Sequence, residues 1–486
     1  MNSLVQQTIL LGSGRARRGL DAFDWFCVLA LLLSFLVVSR LPATASKYGD
    51  MYFHDEAKTL ANAFHGVASW DKVAFGRAPG PVLYYGLPYI AVPPGSSDDT
   101  YWRVALGWNA AWMLVAILLI RRSGELLGGA AAGKMAAALA LLVPFAVYYS
   151  YGIAAETPAY VATVIFLYGW ARWRAEPTGR TVSGGSLLAL AGLFGLILCR
   201  PNALAVTGVA ALCSFLWWAR RSPRRTIDGR FAMLCILSSL LMVFLASTGL
   251  KFLPGTRGVA TQAANLDEAM FLSSFQFRSE PWDWRFWGKA TRRGSVDYQD
   301  YASAQNALQQ QAAATGATVA HLQMDWALRD IVQHPWKHLR MSAVRALALN
   351  VWIVNSKKPG DFRLGPLKGW TVFLLFHVLL NAIALLTILA SIWFLMAHRA
   401  EFLADWPLWG LWVALLLFHA LTYAEPRYML PAQPGLTIMA ACVFGRKVAK
   451  RERVASEPLP ARLEPSLQSV AISKVTLEKE VSETGP

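Results

Sequence analysis

The chain has 486 residues, of which 55% are hydrophobic and only 16% charged, whereas a soluble domain carries about a quarter charged residues. Its mean hydropathy is positive, and stretches of eighteen or more apolar residues recur, which excludes an ordinary soluble enzyme and reads as a polytopic membrane protein. The net charge of +16 does not indicate nucleic acid, because no basic cluster interleaves aromatics in a soluble domain.

A basic tail over residues 1–23 precedes the first apolar span at 24–41. Its run Trp25–Val38, followed by Ala43-Thr44-Ala45, shares features with a secretory signal, but a leader of about two dozen residues is long for that role. The expectation is an uncleaved helix that starts in the cytoplasm. Further spans are expected at about 103–120, 131–149, 157–171, 185–199, 203–219, 231–249, 370–396, 407–423 and 429–445. Arginine and lysine cluster after every second span: Arg15, Arg17 and Arg18; Arg121 and Arg122; Arg172, Arg174 and Arg180; Arg220 to Arg230; His398 and Arg399; Arg446 to Arg453. That alternation is the positive-inside pattern and puts both termini inside. The expected fold is all-α, about ten transmembrane helices with interfacial helices and a small external region. It divides into a core over 24–249, an outer segment over 250–369, a C-terminal helical part over 370–445 and a disordered tail over 446–486.

Two long segments then lie outside. In the first, residues 42–102, the stretch Met51–Val67 has helical periodicity. Ala57, Leu60, Ala61 and Phe64 share one face, while Asp55, Lys58, Thr59 and Asn62 share the other. Such a helix lies in the interface plane and presents Asp55 to water or to a headgroup. Residues 76–92 are apolar but punctuated by prolines and read as a short surface or re-entrant helix. Asp98-Asp99 reads as an isolated acidic turn. The second outer segment is rich in tryptophan (Trp282, Trp284, Trp287, Trp326, Trp336, Trp352), which suits the headgroup zone. One helix there ends near 333, before Pro335, and another runs to about 355, partly embedded.

Adjacent carboxylates at a membrane surface, His54-Asp55-Glu56, are the leading candidates for chemistry. Asp55 is placed to act as a general base toward a hydroxyl or amine; the alternative is that both acids cap the helix in its first turn. Glu156, beside the tyrosines at 148, 149 and 151, either lines an outward pocket or is a first-turn acid. Arg200 and Arg427 violate the positive-inside pattern, and ionisable groups at such depth are often functional. A phosphate outside would suit both guanidiniums; the alternatives are a local Arg427–Glu425 pair and snorkelling of Arg200. Nothing demands a metal or cofactor, and the five cysteines fit neither a disulfide framework nor a metal site.

Four motifs over residues 20–450 resemble the GT-C superfamily of integral membrane glycosyltransferases, in particular the protein O-mannosyltransferase and aminoarabinose transferase branch. They are His54-Asp55-Glu56-Ala57, Glu156-Thr157-Pro158, Gly192–Gly195 with Cys199-Arg200-Pro201, and Pro426-Arg427-Tyr428 with Pro431 and Pro434. Asp330–Leu339 is similar to the helix that precedes a later span in that family. The resemblance implies a polyprenyl-phosphate-sugar donor, consumed outside the membrane with inversion, and a lipid, glycan or protein acceptor. It implies a bacterial inner membrane with a periplasmic site, Asp55 as base and Glu56 beside it. Arg200 and Arg427 would bind the donor phosphate, with His54, Lys58, Glu156 and Tyr428 in supporting or substrate-binding roles. The chain departs from many relatives in having Lys58-Thr59 where an aromatic often follows the acidic pair. The main rival is a transporter or flippase for a lipid-linked or anionic substrate, which would place its polar groups near the midplane.

Overall fold

The computed structural model describes residues 21–40, 51–73, 78–142, 150–176, 182–219, 225–249, 261–279, 296–350, 363–364, 367–368, 370–399, 402–424 and 426–456. The tail beyond 456, four of the six tryptophans of the second outer segment (Trp282, Trp284, Trp287 and Trp352) and Tyr148, Tyr149 and Glu425 lie outside those residues. The described residues are helical almost throughout, with one small antiparallel ladder pairing Arg363 with Lys368 and Leu364 with Leu367.

In chain order the helices are α1 (Ala22–Arg40), α2 (Met51–Phe64), α3 (Pro79–Tyr89), α4 (Asp98–Gly128), α5 (Ala130–Leu142), α6 (Glu156–Ala175), α7 (Gly184–Cys199), α8 (Ala205–Ala219), α9 (Arg225–Gly249), α10 (Thr261–Ser273), α11 (Val296–Thr315), α12 (Val319–Gln333), α13 (Pro335–Leu349), α14 (Trp370–Ala397), α15 (Trp406–Leu421) and α16 (Gln433–Ser456). Among the described residues each expected apolar span overlaps a helix, the one expected at 131–149 only as far as Leu142. By length and composition, α4 is the one helix among the described residues that meets the requirement for crossing a bilayer, and seven shorter apolar helices accompany it. All five cysteines are buried and free.

Some expectations need correction. Arg121 is not in a connection: α4 runs past it to Gly128, and Arg121 is buried against Asp21, Asp24 and Glu125, its Nη2 2.7 Å from Asp21 Oδ2. Three carboxylates neutralise the guanidinium, so the helix continues through it. Phe64, expected on the apolar face of α2, is 56% exposed and sits edge-on to Trp70 at 4.9 Å.

The bundle has polar layers at its two ends. At one lie the Arg121 network and the Arg174–Asp405 pair, which ties the end of α6 to the start of α15. At the other lie Glu156, Arg200 and Asp98. Between them the packing is apolar and rests on small residues, as in helix pairs that cannot rely on hydrophobic exclusion. The α6–α7 hairpin is the tightest example. A methyl on Gly192 would stand 2.7 Å from Ala162 O, and one on Gly169 would stand 2.7 Å from Ala189 Cα. That backbone contact fixes the register of the hairpin, bringing the first residue of α6 beside the residue that ends α7.

Candidate functional site

Glu156 opens α6, and Arg200 is the C-cap of α7, where Pro201 stops the helix. Arg200 Nη2 donates to Glu156 Oε1, and Arg427 Nε lies 3.7 Å from the same oxygen. Two guanidiniums thus share one carboxylate that is 3% exposed. Arg200 is therefore paired, not simply snorkelling, and Arg427 reaches a glutamate from a distant part of the chain. Both guanidiniums also lie over the Tyr428 ring, with centroid distances of 5.1 and 5.5 Å.

Behind Tyr428 stands His419, stacked on it at 4.4 Å. His419 Nε2 is 2.7 Å from Asn202 Nδ2, and Nδ1 is 3.1 Å from Tyr423 O. Asn202 donates to Nε2, so Nδ1 carries the proton and donates to the carbonyl. This fixes a neutral ring beside Arg200. Among the described residues, Arg200 Nε and Asn202 Oδ1 are buried without a hydrogen-bond partner, so the site keeps an unused donor and acceptor next to its charges. Neither His419 nor Asn202 stood out in the sequence; Asn202 follows the Arg200-Pro201 pair, which was its only signal.

The turn before Glu156 is held by side chains from α3 and α4. Tyr85 is fully buried; its hydroxyl donates to Ala154 O and accepts from Ala154 N, both at 3.0 Å. Asn109 Nδ2 donates to Ser150 O and Gly152 O at 2.8 and 3.1 Å. α3 also closes on Arg200 from the other side, since a methyl on Gly80 would meet Cys199 N at 2.7 Å. α3, which falls within the stretch expected to form a short surface or re-entrant helix, is thus a support packed against the site and buried along one face.

The acidic motif lies on α2. Because that helix starts at Met51, Asp55 and Glu56 fall in its second turn and do not cap it. Ala57, Leu60 and Ala61 are buried against α3, and Asp55 is exposed. Among the described residues the Asp55 carboxylate has no hydrogen-bond or ion-pair partner; Thr59 Oγ1 takes only its backbone oxygen. His54, by contrast, is fully buried, 3.1 Å from Tyr89 Oη and 3.3 Å from Asp98 Oδ1. Lys58 Nζ donates to the same Asp98 oxygen at 2.8 Å. Asp98 is therefore not an isolated acid but the partner of two motif side chains. Glu56 is half-buried.

Helices α10, α12 and α13 pack against the arginine cluster. Gln276 bonds both backbone groups of Ala424, at 2.8 and 2.9 Å. Arg345, fully buried on α13, donates to Ala420 O and Ser273 O at 2.7 and 2.8 Å. Tyr423 and Tyr428 belong to one aromatic cluster with Phe271, Phe275 and Trp326. At the α12–α13 corner, His338 Nε2 donates to Asp330 at 2.9 Å and Lys337 donates at 3.3 Å. Burial pushes the Asp330 carboxyl up, but the His338 and Lys337 bonds outweigh it and hold it below the usual carboxylate range. Burial likewise pulls His338 below its ordinary value, against the pull of Asp330.

No protein-family model and no curated protein matches the sequence. Among solved structures, the chain is similar to the oligosaccharyltransferase AglB of Archaeoglobus fulgidus, solved with an inhibitory peptide and a dolichol-phosphate. The identity is 12%, the TM-score 0.47, and 94% of this chain aligns with 55% of that one. The apo form of the Archaeoglobus enzyme gives 14% and 0.48, covering 93% of this chain and 54% of that one. ArnT from Cupriavidus metallidurans bound to undecaprenyl phosphate gives 13% and 0.34, covering 91% and 82%. The chain spans about half the length of the archaeal enzyme.

Proposed function

We propose that this protein is a multi-pass membrane glycosyltransferase that moves a sugar from a polyprenyl-phosphate-linked donor to an acceptor on the extracytoplasmic face, with inversion. The observation that carries the reading is the sharing of Glu156 by Arg200 and Arg427 at one end of the bundle. Among the described side chains that meet there, two guanidiniums face one carboxylate, which leaves an excess of positive charge. The phosphodiester of a lipid-linked sugar carries one negative charge and so suits a site with an excess of guanidiniums. As the bond between the anomeric carbon and the phosphate oxygen breaks, that oxygen keeps the electron pair and the leaving phosphate gains a second negative charge. Preorganised guanidiniums stabilise charge that develops in this way.

Asp55 is the general base in this scheme. Its carboxylate is exposed and, among the described residues, unpaired on a helix whose other face is packed down, so it can take the proton of an acceptor hydroxyl or amine held in line with the donor. Tyr428 supports both guanidiniums, and Glu156 relieves their mutual repulsion. Glu56 and His54 support the helix that carries Asp55. Ten spans, both termini in the cytoplasm of a bacterial inner membrane and a periplasmic site complete the proposal.

The deciding experiment is complementation of a deletion strain, read by mass spectrometry of its envelope glycans and lipids. Asp55→Asn should leave expression and membrane insertion intact and fail to restore the missing sugar. Restoration to the wild-type level would overturn the assignment.

A further inference from the structure

Asp55 and Lys58 are three residues apart on α2, the spacing at which a carboxylate and an ammonium on a helix surface ordinarily pair. In this structure they do not. Lys58 Nζ lies 2.8 Å from Asp98 Oδ1 and 5.1 Å from the centroid of the Tyr101 ring, and His54 approaches the same oxygen from the buried side. We propose that Asp98 is a positioning residue that holds Lys58 away from Asp55, so that the Asp55 carboxylate stays unpaired and available to accept a proton. This rests on the reading of Asp55 as the base.

The surrounding groups are consistent with that role. Among the described side chains, the charged or titratable groups that flank Asp55 on α2 are His54, Glu56 and Lys58. Against His54 and Lys58 stand Asp98 and Tyr101 from α4 and Tyr89 from α3, while Asp99 and Arg103 of α4 pair with each other. Arg103 is committed to Asp99 at 2.6 Å, so it does not compete for Asp98. His54 is fully enclosed, in edge-on contact with Tyr89 and Tyr101 at 5.7 and 6.2 Å, and it anchors Asp98 to the one helix that carries both Asp55 and Lys58. Asp98 is the first residue of α4 and Ser97 is its N-cap, so Asp98→Asn keeps the cap. It removes only the charge that draws Lys58 away.

The test needs no substrate. The purified full-length chain in detergent micelles is treated with a water-soluble carbodiimide and glycinamide across a pH series. Labelling at Asp55 is then quantified by peptide mass spectrometry, because the reagent reports protonation of the carboxyl. Four proteins are compared: wild type, Asp98→Asn, Lys58→Met and the double variant. In Asp98→Asn, Lys58 turns to Asp55 and lowers its labelling midpoint by about half a pH unit, the size expected of an exposed ion pair. Lys58→Met then raises the midpoint more in the Asp98→Asn background than in the wild type. Equal effects in the two backgrounds would mean that Lys58 does not change partner, and would overturn the inference. The complementation assay of Asp55→Asn is a separate readout. If that variant restores the sugar while the labelling is coupled as described, the catalytic reading fails and the charge arrangement stands.

Discussion

Replacing Glu156 by Gln should both weaken the apo protein and tighten its hold on a lipid phosphate. Glutamine keeps the shape and an acceptor for Arg200 but removes the charge shared with Arg427. Across the 3.7 Å to Arg427 Nε, a unit pair is worth about 4 kcal/mol at an effective dielectric of ~20 and about 1 kcal/mol in water. Because the Arg427 side chain is 39% exposed while that of Glu156 is 4% exposed, solvent screening places the loss near the lower end, about 1–2 kcal/mol. The cluster meanwhile becomes one charge unit more positive, so a phosphate should bind more tightly than in the wild type. Thermal unfolding in detergent, with and without decaprenyl phosphate, reads both effects. The variant should melt a few degrees lower when empty and gain more from the lipid than the wild type does. An unchanged melting point would refute the energetics of the pair, and a smaller gain from the lipid would refute phosphate binding by these arginines.

Other consequences of the geometry can be measured directly. Gly192→Ala should force α6 and α7 apart, costing about 1–3 kcal/mol as overpacking does and moving Arg200 relative to Glu156; retention of wild-type melting would contradict the contact. Tyr85→Phe strips the Ala154 backbone of a buried donor and a buried acceptor partner, a loss of about 1–3 kcal/mol for each group left unsatisfied, and transfer should fall because the turn before Glu156 loosens. The α12–α13 corner should make stability depend on pH. Asp330 and His338 both sit below their ordinary values, so each contributes stability that is present above its unfolded pKa and lost as pH falls. The loss should begin below about 6.5 for His338 and below about 3.9 for Asp330. Melting curves of the wild type and Asp330→Asn across that range should converge toward acid; parallel curves would refute the linkage.

Hydrophobic length and period alone located the apolar helices, because each must satisfy its own backbone whatever lies beside it, whereas α10 and α11 were not anticipated. α2 could be read with Ala57, Leu60 and Ala61 inward and Asp55 outward, and α12 and α13 could be separated at Pro335. The outward arginines were legible as exceptions to a charge rule, so Arg200 and Arg427 were found without any knowledge of what they touch. Their partners were not legible. Glu156 joins Arg427, Asp98 joins Lys58 and His54, and Asp21 and Asp24 join Arg121 only because helices far apart in the chain pack at the same end of the bundle. Such pairings leave no period in the sequence, and an acid awaiting a distant partner looks the same as an acid in a turn. The three-residue spacing of Asp55 and Lys58 even favours the wrong pair. Local composition determined which residues carry charge; only the tertiary packing decided which charges are spent on one another and, among the described residues, left Asp55 unpaired.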